Sequence, residues 1–245
     1  MTTTGLLPSD IPLHEHLRAH ARATPDKAAY LWYGARITFA ELDQASDAFA
    51  TRLHALGVRK GDPVALFMNN CPQYVMAHYG IQKLGAIVCP CGPLNKEHEL
   101  EYQLSDLQAR VIVAADSLLP IVEKVRERTG LQHVFAVRYG ELLPSTPTID
   151  LPAELQAYEA SVLPEKVEDF LQVARSGGTP PPVTIDLDND VALMTYTSGT
   201  TGLPKGPCSL SETPSTRPPC RSAPSMSRRT TCCWRLRRCT TLRAC

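Results

Sequence analysis

Residues 63–91 read PVALFMNNCPQYVMAHYGIQKLGAIVCPC, and the fold class follows from this stretch. The apolar run at 64–68 predicts a buried strand, and Pro72 predicts the first turn of a helix that continues to about Leu84. Residues 87–88 predict the next strand. Short apolar strands joined by a helix are typical of parallel strands that are buried on both faces. The stretch therefore predicts one repeat of a parallel α/β sheet.

The same alternation continues on both sides of this stretch. It predicts further helices at 13–23, 96–107 and 118–128, and strands at 111–114 and 134–137. It also predicts a strand pair, 28–33 and Ile37, joined by a turn at 34–36. After a loose connection at 140–164, it predicts a short helix around Phe170, a second loop at 177–182 and a strand at 191–194. We therefore expect an α/β protein with a parallel-rich sheet and flanking helices.

A long helix follows residue 38, and its sequence marks both of its ends. Thr38-Phe39-Ala40-Glu41 has the pattern of a capping box, in which the Thr38 and Glu41 side chains each bond the backbone N–H of the other residue. Gly57 predicts the point where the helix ends. Apolar residues recur between them at helical spacing, so the helix is expected to pack through one face.

The composition divides the chain after Gly206. The chain has 245 residues, and its 25 basic and 25 acidic side chains cancel, which gives no overall attraction to nucleic acid. Residues 1–206 carry 17 basic against 24 acidic side chains, a net charge of −7. Residues 207–245 hold eight Arg, no Lys and one acid, a net charge of +7, together with six of the nine Cys. We predict a domain at 1–206 and a disordered basic tail at 207–245.

The sequence favours a cytoplasmic protein, with peripheral contact to a membrane left open. No segment approaches the roughly 20 apolar residues of a transmembrane helix, and the start MTTTG lacks the pattern of a secretory signal. Cys71, Cys89 and Cys91 lack the spacing of a disulfide framework or zinc site, so they are expected to be reduced and packed.

Several histidines and tyrosines invite a functional interpretation but have simpler ones. His14, His16 and His20 lie in the first predicted helix, and we expect them on a solvated face rather than around a metal ion. Tyr74, His78 and Tyr79 could touch an apolar ligand, but packing and surface exposure are the favoured interpretation.

The chemistry is concentrated in the loop after the last predicted strand, where residues 195–206 read TYTSGTTGLPKG. Backbone N–H groups near Gly199 and Gly202 can turn inward around an anion, hydroxyl groups can donate to phosphate oxygens, and Lys205 adds a full charge. The loop is not a Walker A motif, because Lys205 is followed by Gly206 rather than by Ser or Thr. A flexible Ser/Thr/Gly linker is the alternative interpretation.

The string YTSGTTGLPKG at 196–206 resembles the phosphate-binding signature of the adenylate-forming (AMP-binding) enzymes. The strings TFAEL at 38–42, GV at 57–58 and KGDPVA at 60–65 resemble the amino-terminal region of that family. The strings GAIV at 85–88, PL at 93–94 and ELEYQL at 99–104 most resemble its medium- and long-chain fatty acyl-CoA synthetase branch. The resemblance covers about residues 11–206. It implies the amino-terminal part of the family's large α/β domain.

The resemblance implies an ATP- and Mg²⁺-dependent reaction in which a fatty or other carboxylic acid forms an acyl-adenylate and is then transferred to coenzyme A. It assigns the ATP phosphate loop to Thr197, Ser198, Gly199, Thr200, Thr201, Gly202 and Lys205. It identifies no metal ligand and no catalytic residue in this protein. It leaves open the length of the acyl chain of the acid and the oligomeric state of the protein. Nucleic acid is not an expected partner.

The family's other catalytic parts are not found in these 245 residues. They are an aromatic-Gly-x-Thr-Glu segment, a ribose-binding Asp, a hinge Arg and a carboxyl-terminal Lys; the nearest string, Tyr139-Gly140-Glu141, lacks Thr-Glu. If one nucleotide is restored near the codon of Gly206, the possible codons of the tail can encode segments that resemble the family. These include Met-Leu from the codons of 207–209 and an apolar strand from the codons of 232–235. We therefore expect an inactive fragment with an out-of-frame tail.

Two other functions remain open at this point. One is a non-catalytic fragment that binds nucleotide phosphates through the loop. The other is a nucleic-acid-binding protein whose tail contacts phosphate backbones through Arg228-Arg229 and the arginines of 235–243, with its six cysteines holding zinc. The tail lacks His and paired Cys-x-x-Cys spacing, which disfavours a zinc site.

Overall fold

The computed structural model describes residues 11–156, 162–196 and 233–235. Their helices and strands alternate as the sequence predicts. In chain order they are α1 (Leu13–Ala23), β1 (Ala28–Trp32), β2 (Ala35–Thr38), α2 (Phe39–Ala55), β3 (Pro63–Phe67), α3 (Pro72–Lys83), β4 (Ile87–Cys91), α4 (Glu97–Leu107), β5 (Val111–Ala115), α5 (Leu119–Arg126), β6 (His133–Val137), α6 (Ala153–Gln156), β7 (Val167–Asp169), α7 (Phe170–Ala174), β8 (Val191–Met194) and β9 (Cys233–Arg235).

The main sheet has the strand order β7-β6-β5-β3-β4-β8-β9. Strands β3 to β8 are parallel to their neighbours, and β9 is antiparallel to β8. At the centre of the sheet, Ala65 of β3 lies opposite Cys89 of β4 on one side and Ile112 of β5 on the other. Because β4 and β5 lie on opposite sides of β3, the chain reverses its winding direction at β3.

Helices cover both faces of this sheet, which confirms the predicted parallel-rich α/β fold. On one face, α1, α2, α3 and α7 pack over residues such as Leu66, Val113 and Phe135. On the other face, α4 and α5 pack over Phe67 and Ile112. Alternate residues of each strand point to opposite faces, so strands covered on both sides must be apolar throughout. This is why the apolar runs of the sequence locate the strands.

Local sequence signals act where they were predicted. The Thr38 side chain accepts a hydrogen bond from the Glu41 N–H at 3.2 Å, and the Glu41 side chain accepts one from the Thr38 N–H at 2.8 Å, which confirms the capping box. Gly57, just beyond the C-terminal end of α2, has φ of 85°, a value that favours glycine. Pro72 occupies the first turn of α3, and the Cys71 side chain caps it by accepting from the Tyr74 N–H.

The hairpin turn and β7 differ from the prediction. Ala35 belongs to β2, so the turn consists of Tyr33 and Gly34, both with positive φ, rather than residues 34–36. The sequence did not predict β7, because its three residues contain a single buried apolar side chain, Val167, and the strand depends on pairing with β6.

The expected exposure of His14 was wrong. His14 was expected on a solvated face, but its side chain is buried where α1 packs against α3 and the start of β8. The predicted disorder at 207–245 concerns residues outside the described part of the chain, apart from Cys233–Arg235, which form β9 along the edge of β8. An uncovered strand edge offers backbone N–H and C=O groups to any extended segment, which accounts for this pairing.

A candidate phosphate loop at the end of the last parallel strand

The predicted phosphate loop begins directly after β8. Strand β8 is parallel to β4, with Leu193 opposite Val88, so its carboxyl end lies at the same edge of the sheet as those of β3 and β4. Ala192 and Met194 are buried, and Thr195 and Tyr196 follow the strand. In open parallel sheets this edge is where ligands bind. The described strand therefore ends, with Thr195 and Tyr196, at the edge of the sheet where a ligand is expected.

Tyr196 holds the point where the chain leaves β8. Its hydroxyl group donates a hydrogen bond to Oδ2 of Asp106, in the last turn of α4, over 2.6 Å. The tyrosine ring is half-buried against the apolar cluster under α4. Removal of the hydroxyl from water raises the pKa of Tyr196, and the hydrogen bond to Asp106 raises it further. The side chain therefore stays neutral and remains a hydrogen-bond donor across the physiological range.

The other end of β8 is held by an ion pair. Nζ of Lys60, before β3, lies 2.6 Å from Oδ2 of Asp190, and it also donates to the Thr184 carbonyl oxygen over 2.8 Å. The backbone N–H of Asp186 donates to the same carboxylate over 2.6 Å. The four-residue strand is thus anchored by side chains both before and after it.

All seven residues assigned to the phosphate loop lie outside the described part of the chain. They are Thr197, Ser198, Gly199, Thr200, Thr201, Gly202 and Lys205. The structure brings Thr195 and Tyr196 to the carboxyl edge of the sheet, and the assignment of the seven residues that follow remains a prediction from the sequence.

Tyr139 occupies the place where the winding direction of the sheet changes. It follows β6, and its hydroxyl oxygen accepts the backbone N–H of Asn69, which follows β3, over 2.7 Å. Because β5 lies between β6 and β3, the side chain reaches past the carboxyl end of β5. Burial raises the pKa of Tyr139 to about 12. This crevice, a common ligand site in such sheets, is bridged by the protein's own side chain.

The string Tyr139-Gly140-Glu141 therefore has a structural role. Glu141 accepts a hydrogen bond from Arg138 over 2.8 Å, and Arg138 also pairs with Asp169 at the end of β7 over 2.7 Å. Burial raises the pKa of Glu141 more than Arg138 lowers it. These contacts join the ends of β6 and β7, which is consistent with the sequence interpretation that this string is not the adenine-binding segment.

The three cysteines of the domain are buried thiols, which confirms the expected packing. Cys71, Cys89 and Cys91 form no disulfide, and burial raises the pKa values of Cys71 and Cys91 to about 12. Within residues 11–156, 162–196 and 233–235, no three His, Cys, Asp or Glu side chains are grouped as a metal site would need.

The aromatic side chains of α3 are packed rather than open. Tyr74, His78 and Tyr79 are half-buried, with ring centroids of neighbouring pairs about 6 Å apart: 6.1 Å for Tyr74 and His78, and 6.0 Å for His78 and Tyr79. Burial lowers the pKa of His78 to about 4. This supports the packing interpretation over an acyl-chain contact.

Asp106 is the site residue that sequence reasoning missed. It precedes the end of α4 and is separated from Tyr196 by 90 positions, so no local pattern connects the two. Its side chain is exposed, and nothing in its neighbouring sequence distinguishes it from an ordinary solvated helix residue. Separately, none of the helices in the described part of the chain is both long enough and apolar enough to span a bilayer.

Comparison with known proteins identifies relatives across most of the chain. The family model for AMP-binding enzymes matches residues 17–208. A long-chain-fatty-acid–CoA ligase of Bacillus subtilis (strain 168) is 33% identical over 222 residues, which cover 81% of this chain and 38% of that protein. A long-chain-fatty-acid–CoA ligase of Escherichia coli O157:H7 is 37% identical over 187 residues, covering 74% of this chain and 33% of that protein.

Solved structures share the fold. A long-chain-fatty-acid–CoA ligase from Archaeoglobus fulgidus matches with a TM-score of 0.62 at 27% identity, covering 81% of this chain and 36% of that one. An anthranilate CoA ligase in complex with anthranoyl-AMP matches with a TM-score of 0.67 at 26% identity, covering 84% of this chain and 35% of that one. The chain thus spans between 33% and 38% of the length of these four proteins.

Proposed function

The chain belongs to the AMP-binding enzyme family, in its fatty acyl-CoA synthetase branch, and from that premise we propose that the loop at 195–206 binds the phosphates of ATP for acyl-adenylate formation. The observation that carries the proposal is the position of the loop. The string TYTSGTTGLPKG starts where β8 ends, at the carboxyl edge of a parallel sheet, with Tyr196 anchored to α4.

The donor set of the loop fits a polyphosphate. The hydroxyl groups of Thr197, Ser198, Thr200 and Thr201 are donors without charge, Gly199 and Gly202 allow the backbone to approach an anion closely, and Lys205 contributes a positive charge. No acidic side chain lies between 195 and 206 to repel the ligand. Mg²⁺ would arrive with the nucleotide, and we assign it no ligand in this chain.

The loop residues would act by electrostatic stabilisation. When ATP is bound, attack of a carboxylate on its α-phosphate releases pyrophosphate, and negative charge grows on that leaving group. Lys205 and the hydroxyl groups of the loop would hold the β- and γ-phosphates and neutralise this charge as it develops. The acid substrate, of the fatty class, and coenzyme A belong to the same proposal through the named relatives.

We further propose that the 245-residue polypeptide binds polyphosphate without turnover. It matches little more than a third of its relatives' length, and the adenine, ribose, hinge and carboxyl-terminal segments implied by the resemblance are not among its residues. A cytosolic location, with or without peripheral contact to a membrane, is part of this proposal and is tested by cell fractionation.

The test is calorimetry of the purified chain with inorganic tripolyphosphate and with Mg·ATP. We expect binding that weakens about tenfold or more in Lys205→Ala, because a charge-assisted hydrogen bond to phosphate is lost. Lys166→Ala, which removes an exposed lysine of the loop before β7, is the matched control and should bind like the unsubstituted chain. Equal binding by the Lys205→Ala chain would overturn the assignment of the loop.

A pyrophosphate-exchange assay with Mg·ATP and a fatty acid tests the absence of turnover. The expected exchange does not exceed that of Lys205→Ala. Exchange above that control would show that the polypeptide forms an acyl-adenylate by itself.

The origin of residues 207–245 is tested on the DNA. We propose that they are an out-of-frame translation, and we would sequence the gene from the codon of Val191 onward. A long open frame with family segments after one restored base would support this. If the given frame is confirmed and no other frame continues, the tail is a genuine segment, and its binding to nucleic acid should then be measured as a function of salt.

A further inference from the structure

A side-chain attachment at Tyr196, in addition to the short backbone pairing of β8, constrains the chain where it leaves this strand. Strand β8 has four residues, and its pairing with β4 is registered through Leu193 and Val88. In the two described residues directly after Met194, the Tyr196 side chain contacts the rest of the domain through its ring packing and its hydrogen bond to Asp106.

The geometry of this contact is well suited to fix a direction. The ring is held on one side by the apolar cluster under α4, while the hydroxyl group is held at 2.6 Å by a carboxylate on the surface of the same helix. Two points of attachment on one rigid side chain restrict both the position and the rotation of residue 196. The adjacent residue, Thr197, is the first of the predicted phosphate donors.

We propose that Tyr196 and Asp106 form a positioning pair that sets the direction in which the phosphate loop leaves the sheet. Neither residue touches the ligand in this proposal; the pair acts through the backbone of the loop. The inference rests on the proposed function of the loop, and it adds two residues whose role the loop signature alone does not assign.

Hydrogen exchange of the purified chain, measured by mass spectrometry on peptides that cover 195–206, tests the pair without any ligand. Tyr196→Phe removes only the hydroxyl group, and Asp106→Leu removes the acceptor; each should increase amide exchange in 197–206 about threefold to tenfold, as expected for loss of one hydrogen bond. Tyr79→Phe, at a half-buried tyrosine of α3, is the matched control and should leave these peptides unchanged.

A conservative substitution separates positioning from general destabilisation. The amide oxygen of Asn still accepts a hydrogen bond, so Asp106→Asn should restore most of the protection that Asp106→Leu removes. The double variant Tyr196→Phe/Asp106→Leu should exchange no faster than the more affected single variant, because both remove the same interaction. Unchanged exchange in Tyr196→Phe, or an unprotected loop in the unsubstituted chain, would overturn the positioning role.

Tripolyphosphate calorimetry then separates this inference from the proposed function. We expect Tyr196→Phe to bind about threefold to tenfold more weakly, with Tyr79→Phe unchanged. If Lys205→Ala weakens binding while Tyr196→Phe does not, the loop is the phosphate site and the positioning role is wrong. If neither substitution affects binding, the loop assignment fails, and the exchange measurement still decides whether the pair orders residues 197–206.

Discussion

Nζ of Lys83 on α3 lies 2.5 Å from Oδ1 of Asp43 on α2, and the lysine side chain is fully buried. The same ammonium group lies 2.7 Å from Oδ1 of Asp47 and donates to the carbonyl oxygen of Asp43 over 2.8 Å, so all three of its donors have acceptors. Arg18 of α1 donates to the Asp47 carboxylate over 3.2 Å. The Asp47 carboxylate of α2 thus links Lys83 of α3 and Arg18 of α1 on one face of the sheet.

We predict that Lys83→Met destabilises the chain by about 3 kcal/mol, because two carboxylates then lose the cation that faces them at a largely buried position. The free energy of unfolding from urea titration measures this. The control is Lys124→Met, since Lys124 pairs with Glu97 at the surface and such a pair contributes about 0–1 kcal/mol. Similar losses for both variants would contradict the structural role of Lys83.

Gly80 lies where α3 crosses α2, and the absence of a side chain permits the close approach. A Cβ atom at this position would lie 2.9 Å from Cδ1 of Phe49 and 2.9 Å from the carbonyl oxygen of Ser46. We predict that Gly80→Ala lowers the free energy of unfolding by about 1–3 kcal/mol through overpacking. Gly130→Ala is the control, because nothing lies within 4 Å of its Cβ position. A stable Gly80→Ala chain would show that the helices can separate without cost.

Acid should destabilise the chain through two histidines. Burial lowers the pKa of His14 to about 4, with the charges of nearby Arg18 and Lys83 adding to the effect and Glu15 opposing it; burial also lowers the pKa of His78 to about 4. Their pKa in the unfolded chain is about 6.5. Because the unfolded chain binds these protons more tightly, their destabilising effect is absent above pH 6.5 and grows as the pH falls to 4.

Each histidine should account for a loss of about 3 kcal/mol across this range, which follows from about 1.4 kcal/mol per pKa unit. The measurement is the free energy of unfolding between pH 7 and pH 4 for the unsubstituted chain and for His78→Gln. The substitution should flatten the profile, whereas His98→Gln, at an exposed residue of α4, should leave its slope unchanged. A profile that His78→Gln leaves as steep as before would contradict the burial effect.

The buried thiols should react slowly while the chain is folded. The pKa of about 12 for Cys71 and Cys91 leaves little thiolate at pH 8.5, and the thiolate is the reactive form. We predict that alkylation of these two residues by iodoacetamide, followed by peptide mass spectrometry, is roughly a hundredfold or more slower in buffer than in urea. Rapid labelling in buffer would indicate that the start of α3, at Cys71, or the end of β4, at Cys91, opens readily.

The sequence predicted those parts of the fold whose causes are local. The apolar strands, Pro72 at the start of α3 and the capping box at Thr38 were predicted because each needs only its own neighbours along the chain. Strand β7 was not predicted, because a partner strand stabilises it. The burial of His14 was not predicted either, since it depends on where α1 packs against α3 and the start of β8.

The candidate site likewise contains local features that the sequence predicted and long-range contacts that it did not. The loop signature is contiguous and could be recognised from twelve neighbouring residues, whereas the Tyr196 anchor depends on a carboxylate 90 positions away. The role of Tyr139 at the switch point is similar, because its partner Asn69 lies on a different strand–helix connection. Pairs of residues this far apart leave no periodic pattern in the sequence, so the sequence alone does not predict them.

The packing of α7 has a consequence for biosynthesis. Phe170 of α7 lies against Phe49 of α2, with ring centroids 4.9 Å apart, and the nearby Arg52–Glu168 ion pair spans 116 positions. At about 5–20 residues per second, a ribosome needs roughly 6–23 s to make that length of chain. Until then the aromatic face of α2 lacks its cover. Nascent chains that end before α7 should therefore bind chaperones that recognise exposed apolar surface. The chaperones should be released once α7 has emerged from the ribosome.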